Sequence, residues 1–438
     1  MCFRQFLAAA AQAIIWMLVF AIVAETAGAS SVSEKTIYSF LGFPDGSGPN
    51  GGLVADSTGN LYGTTLVGGA GKYLGTVFEL SPPSNAGGAW VETILYSFKG
   101  GAFDGARPYG TLTFDSSGNL YGTTQAGGPN SFGTVFELSP PATTGASWTE
   151  KVIWMFSASG LEGDWPFGTL VFDKGGNLYG TTYSGGSDPT CDCGTVFVLH
   201  PPQALSGAWS EEVVHSFGLL PSDGFRPGRG LVLRGNSIYG TTEVGGSTNH
   251  GVVFRLNHSL GKWTEEVLYN FDESWSATGG LIIDAAGNLY GMTLYGGDQS
   301  CQCGTVYEVS PPALPGGTWH GTILYRFQGR ADGAFPFGRL WRNKVGDLFG
   351  TTAQGGVKKL KSGVVFRLKP PGVTGGVWTL IVLHDFTGPA SGDGRFPLGE
   401  LSERNGVFYG TTDAGGISNQ GAIFTLVLPQ GNPTVTLE

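Results

Sequence analysis

Short apolar runs, each fenced by Gly, Pro, Asn or Asp, recur along the whole chain and predict β-strands. Residues 110–156 hold four of them: "GTLTFD" (110–115), "NLYGTT" (119–124), "GTVFEL" (133–138) and "EKVIWMF" (150–156). Between the first two lies a tight turn, "DSSGN" here, "DSTGN" at 56–60 and "DAAGN" at 284–288, whose Gly supplies the positive φ of a short hairpin. Runs two and three are joined by a loop that opens with Gly-Gly, and a longer turn, "SPPATTGASW", links runs three and four. Middle runs such as "TVFEL" and "VVFRL" read as strands covered on both faces. Four antiparallel strands of this kind make one propeller blade.

The four-run unit repeats. Aligned on the aromatic residue of "LYGTT", its copies centre on Tyr62, Tyr121, Tyr179, Tyr239, Tyr290, Phe349 and Tyr409, at spacings of 59, 58, 60, 51, 59 and 60 residues. A period this long marks a repeat architecture. The seventh copy holds "GELSER" (399–404), "VFYGTT" (407–412) and "GAIFTL" (421–426) but no fourth run, whereas "TIYSF" at 36–40 is an orphan matching "ILYSF" at 94–98. Pairing the orphan with the last run would leave no open edge. We therefore expect an all-β, seven-bladed β-propeller with four antiparallel strands per blade, closed by the N-terminal strand pairing with the last blade. The ring spans 36–428, its seventh blade (399–428) is completed by 36–40, and 429–438 form a short tail. A β-solenoid is set aside because its coils are usually much shorter.

Two further series support the ring. Leu53, Leu112, Leu170, Leu231, Leu281, Leu340 and Leu401 each follow a Gly by one or two residues, which suits innermost strands crowded around an axis. Trp90, Trp148, Trp209, Trp263, Trp319 and Trp378 each open a fourth run, and such regularity reads as blade packing.

Composition narrows the class. The 438 residues include 75 Gly, 41% are hydrophobic and only 13% charged, which fits neither a disordered nor a helix-rich chain. A formal net charge of -10 without a basic stripe argues against nucleic acid as a partner. At the N-terminus, Arg4, an apolar run from Phe6 to Ala24 and the small residues Ala27-Gly28-Ala29 read as a secretory signal over residues 1–29. The alternative is a retained anchor, because the run is long enough to span a bilayer. Cys2 precedes the apolar run and is not a lipoprotein cysteine. Either way the ring is expected outside the cytoplasm, at the cell surface, in the periplasm or in the medium, as a monomer.

The phrases "LYGTT..GG", "GTVFEL" and "W.E..LYSF" resemble the GloVer tandem repeat of exported bacterial proteins carrying varied C-terminal anchors. The resemblance covers residues 36–428 and implies export and a repeat fold, with no activity, cofactor or catalytic residue to carry over. No anchor of the family's kind is recognisable after Leu428.

Candidate chemistry lies in the loops. Loops from a fourth strand to the next first strand share a face with the Gly-Gly loops and carry a recurrent phrase: "DGSGPNG" from Asp45, "DGARPYG" from Asp104, "DGFRPGR" from Asp223, "DGAFPFG" from Asp332 and "DGRFPLG" from Asp393. The third copy is "EGDWPFG", with Glu162 and Asp164, and the fifth, "DESWSATGG", lacks the Pro. As a site, these carboxylates would alternate with Tyr109, Trp165, Phe167, Phe225, Phe335, Phe337 and Phe396, a rim able to stack sugars or to hold Ca²⁺. As structure, each Asp would bond its own turn while Pro and its aromatic neighbour seal the core. Repetition in nearly every blade favours structure.

Cysteines break the symmetry, with Cys191 and Cys193 in "DPTCDCGTVF" and Cys301 and Cys303 in "DQSCQCGTVY". In an oxidising compartment each pair is expected to close on itself, because the third and fifth blades are not neighbours. A loop staple is the simpler reading, with redox chemistry the alternative; a four-thiolate zinc site would require the two loops to meet across the mouth. His215 and His384 fall in a slot held elsewhere by Tyr38, Tyr96, Trp154 or its neighbour Met155, Tyr269 and Tyr325, and read as members of an aromatic row. His200, His250, His258 and His320 are expected in turns. No metalloprotease, nucleophile-elbow or phosphate-loop motif occurs, so no metal or cofactor is expected beyond the Ca²⁺ alternative.

These readings favour an exported, non-catalytic scaffold binding a glycan or a protein through one face of the ring. An enzyme acting on extracellular polysaccharide, which would need paired carboxylates of raised pKa, and a purely structural surface protein are the alternatives.

Overall fold

The computed structural model describes residues 32–429 apart from 72, 86, 144, 158–160, 188–190, 205–206, 221, 273, 358–360 and 374. The expected signal segment and most of the expected tail lie outside the described residues. Seven four-stranded antiparallel sheets form a seven-bladed β-propeller. In blade 1 the strands run Val54–Ala55, Leu61–Thr65, Thr76–Ser81 and Val91–Ser97 from inside out. Blades 2 to 6 repeat that order. In blade 7, Ser402–Arg404, Val407–Thr412 and Ala422–Val427 are completed by the N-terminal Ser33–Ser39, which pairs antiparallel with Ala422–Val427. The closing strand thus starts three residues before the expected run.

Hydrophobic burial is organised between blades. Seven buried clusters each combine residues of two adjacent sheets, so the number of seams equals the number of blades. Phe40 and Ile423 from the two chain ends meet Leu53, Leu61, Phe78 and Leu80 of blade 1 in the closing cluster. Each opening Trp packs across a seam: Trp148 on Tyr62 (6.1 Å), Trp209 on Tyr121 (6.2 Å) and Trp90 on Tyr409 (6.3 Å).

The recurrent phrase is explained atom by atom. In the turn before it, Asp56 Oδ1 accepts the N–H groups of Thr58, Gly59 and Asn60, and Oδ2 accepts the amide of Asn60 and the hydroxyl of Tyr62. Gly63 pairs directly with Phe78, and a Cβ on it would stand 2.7 Å from that ring and 2.9 Å from Leu53. The missing side chain lets the aromatic ring cross the sheet. The second Thr bonds within its blade, as Thr65 to Thr76 (2.7 Å). The first Thr reaches the next blade's inner strand: Thr123 to Gly168 O, Thr181 to Gly228 O, Thr241 to Ala277 O, Thr411 to Gly51 O. In blade 5, Met292 replaces this Thr and has no hydroxyl to offer. Replacing Thr181 by Val should lower stability by about 1 kcal/mol, the net value of one such bond, read as a lower chemical-denaturation midpoint.

Candidate functional site

The Asp-Gly and Gly-Gly loops meet on one face, as expected. Gly69, Gly128, Gly246 and Gly416 each donate a backbone N–H to the carbonyl of Asp45, Asp104, Asp223 or Asp393 respectively. The rim carboxylates themselves are occupied. Asp45 accepts from Gly46 N, Leu41 N and Tyr38 OH; Asp104 from Gly105 N, Lys99 N and Tyr96 OH; Asp332 from Gln328 N and Tyr325 OH. Asp223 and Asp393 do likewise, with His215 and His384 in place of the Tyr. Asp393 is held below the usual carboxylate range by these bonds despite its burial. Each of these five Asp residues therefore ties a fourth strand to the turn that follows it.

Asp164 differs because it follows its Gly instead of preceding it. Its Oδ1 is buried without a partner, and burial, with Asp192 nearby, pushes its pKa up to about 6.

Behind the rim the sequence reading missed a second acid. Glu34, Glu92, Glu150, Glu211 and Glu265 occupy one position on five outer strands, and each has a buried Oε1 without a hydrogen-bond partner. Burial, reinforced by the loop acid of the same seam, pushes each up to about 7: Asp393 for Glu34, Asp45 for Glu92, Asp104 for Glu150, Glu162 for Glu211 and Asp223 for Glu265. In the other two blades the position is Gly321 or Leu380, and the ring of Tyr269 covers Gly321. The "W.E" spacing was the available signal.

At the centre the symmetry fails. Inner-strand glycines press backbone on backbone: a Cβ on Gly338 would lie 2.8 Å from Gly399 O, and one on Gly110 would lie 2.7 Å from Gly168 C. Only about 40 Å³ is open to water on the axis, room for a few water molecules at most. Over this closed axis sits Arg229, where blade 4 reads "RPGRG" against "RPYGT" in blade 2. Its guanidinium lies 4.8, 4.2 and 3.8 Å from the ring centres of Tyr109, Phe167 and Phe337, while its Nε is buried without a partner. Tyr109 and Phe167 stack at 4.4 Å. Sequence-predicted Tyr109 and Phe337 thus converge, on a residue the sequence reading did not select.

Beside the plug, a depression of about 560 Å³ is lined by Arg107, Gln125, Trp165, Phe167, Tyr183, Arg229 and Glu243, among others. Trp165 is 52% exposed. Its backbone takes φ 51° and donates to Phe132 O across the seam, as do Arg107 to Leu74 O and Arg226 to Cys193 O in the neighbouring blades. Such left-handed residues are uncommon outside Gly, and here the seam hydrogen bond fixes them. Tyr183 OH donates to Glu243 (3.3 Å), and Arg226 lies over the Tyr183 ring (5.2 Å). Burial raises the Glu243 pKa, while Arg229, Tyr183 and Arg226 oppose it. Glu243 is the single carboxylate among the described residues lining the depression.

The cysteines stand as two disulfide-like pairs, Cys191 with Cys193 and Cys301 with Cys303, beside Gly218 and Gly329. His215 and His384 stand in the aromatic row, each 4.6 Å from the next Phe ring. His200, His258 and His320 depart from expectation and lie in strands: the ladder to the neighbouring strand extends past the apolar run and takes them in. His250 is in a turn.

Comparisons agree with the architecture. The Gloeobacter/Verrucomicrobia repeat matches over residues 20–189, 92–279, 149–320 and 273–438. No curated protein matches. Among solved structures, the chain is similar to PorZ, a surface component of the type-IX secretion system of Porphyromonas gingivalis (14% identity, 90% of this chain, 48% of that one, TM-score 0.48). It is also similar to the extracellular domain of BT4673 from B. thetaiotaomicron (11% identity, 91% of this chain, 42% of that one, TM-score 0.53). The chain spans less than half the length of either, and the second likeness supports the fold.

Proposed function

This chain belongs to the Gloeobacter/Verrucomicrobia repeat family, and from that premise we propose that it is an exported, monomeric, non-catalytic scaffold that binds a glycan beside the axial plug. Export rests on the apolar Phe6–Ala24 run and the small residues after it. The observation that carries the binding reading is the break in sevenfold symmetry. The rim Asp residues serve turns in blade after blade, whereas Trp165, Tyr183, Arg229 and Glu243 meet once, in a depression large enough for a small ligand. An exposed indole stacks on the C–H face of a sugar ring, and guanidinium and carboxylate groups bond its hydroxyls. Glycoside hydrolysis commonly needs two carboxylates about the scissile bond; the depression offers one, which favours binding over cleavage.

A glycan array probed with residues 30–438, with and without Ca²⁺ and reductant, tests this. Selective binding is expected, weakened about tenfold or more (~1.4 kcal/mol) by Trp165→Ala and retained by Asp104→Asn. A blank array overturns the glycan reading in favour of a protein partner. Hydrolysis products would restore the polysaccharide-acting enzyme, and loss of binding in Asp104→Asn at unchanged fold would move the site to the rim.

A further inference from the structure

Four seams of the ring repeat one arrangement with different residues. A side chain near the end of an outer strand, the acid of the following loop and the Glu of the next blade's outer strand are brought together. In two seams the first member is a Tyr hydroxyl, giving Tyr38–Asp45–Glu92 and Tyr96–Asp104–Glu150. In two others it is an imidazole. His215 Nε2 lies 3.4 and 3.3 Å from the two oxygens of Asp223, with Glu265 completing the set. His384 Nε2 lies 3.2 Å from Asp393 Oδ2 and 3.7 Å from Glu34 Oε2. In both sets one ligand atom from each residue falls within 4.8 Å of the others.

We propose that His215–Asp223–Glu265 and Glu34–His384–Asp393 each bind a divalent transition-metal ion of the zinc class. One imidazole nitrogen and two carboxylates are a donor set that suits Zn²⁺. Zinc bonds of about 2.0–2.1 Å in a tetrahedron put neighbouring donors roughly 3.3 Å apart, close to the 3.2–3.7 Å found between His384 and its two acids. Ca²⁺ prefers six to eight oxygens, and three side chains with one nitrogen serve it poorly.

Two features of the clusters suit a cation. The Oε1 atoms of Glu34 and Glu265 are buried without a partner, and each faces a second carboxylate. The imidazoles are also held in place, each edge-on to a Phe at 4.6 Å. The opposing Asp is oriented by backbone donors, Gly218 and Gly224 for Asp223, Thr387 and Gly394 for Asp393. Such outer bonds fix the aim of a ligand. The Tyr seams share the orphaned Glu but lack the nitrogen, so the fold supplies its own control.

The test is Zn²⁺ binding by the untagged, disulfide-intact chain stripped with chelator, followed by calorimetry and by metal analysis after dialysis. Two equivalents per chain and a raised unfolding temperature are expected. His215→Tyr and His384→Tyr should each remove one equivalent, or weaken it at least tenfold, with little change in metal-free stability, because Tyr fills this slot in other blades. Glu34→Gln and Glu265→Gln serve as a second pair that keeps the ring packing. Binding of less than one equivalent by the natural chain, or two equivalents retained by the double His variant or by the double Glu variant, would overturn the proposal.

Discussion

A chain lacking Ser33–Phe40 should fail to fold cooperatively and should associate through blade 7. That segment is the fourth strand of the blade, paired with Ala422–Val427 from Ser33 opposite Val427 to Ser39 opposite Ala422. Without it the Ala422–Val427 strand becomes an unpaired, largely apolar edge, a template for pairing between chains. Phe40 is fully buried and edge-on to Phe78 at 5.2 Å. Its loss would open the closing cluster from both sides. Other links across the seam remain, including Thr411 to Gly51 O, Gly48 N to Gln420 O and the guanidinium of Arg404 on the carbonyls of Asp56 and Ser57. These polar links cannot replace the apolar layer. The milder variant Phe40→Ala should cost about 3–5 kcal/mol, as large-to-small changes at fully buried aromatics do. Denaturation followed by circular dichroism and size-exclusion chromatography reads both. An unchanged midpoint in the truncated chain would mean that the ring closes without its latch.

The ring was legible because its determinants are local and repeated. Turn glycines and the absent fourth run of the seventh unit are readable unit by unit, and Phe40 in "TIYSF" matches Phe98 in "ILYSF". The axial mouth was not, because it joins residues from blades 2, 3, 4 and 6 whose side chains converge only once the ring is closed. Arg229 stood in plain view as a departure from the repeat, yet repetition drew attention to Asp104 and Asp332, which serve turns. In a repeat protein, what the units share builds the shape, so a singular residue at a shared position is the better guide to a site. The seam Glu residues escaped for the opposite reason. They recur like structure, but their ionisation depends on an acid from the preceding loop, about 47 residues earlier for Glu92 and Asp45.

That buried pairing sets an expected pH dependence. Glu92, Glu150 and Glu211 are pushed up from an ordinary value near 4.5 to about 7 in the folded ring. Glu92 faces Asp45, Glu150 faces Asp104 with Tyr96 and Lys99 opposing the shift, and Glu211 faces Glu162 and Glu212. In the window between those values the folded chain binds more protons than the unfolded one, so stability falls as pH rises. The contribution is complete below about 4.5, is lost as pH climbs through 7, and changes no further above that. Asp164, pushed up to about 6, acts in the same direction, whereas Asp56, Asp173 and Asp393, all lowered, lose their contribution only as pH falls below the usual Asp range. The unfolding temperature of the metal-free chain should therefore drop between pH 5 and pH 8, on the order of 5 °C for a chain of this size with partly solvated groups. The triple variant Glu92→Gln, Glu150→Gln, Glu211→Gln should flatten that slope and be the more stable protein at pH 8, because a neutral amide beside the loop acid can donate where an ionised carboxylate repels. Parallel slopes for the two proteins, measured by calorimetry across that range, would place the titrating groups elsewhere.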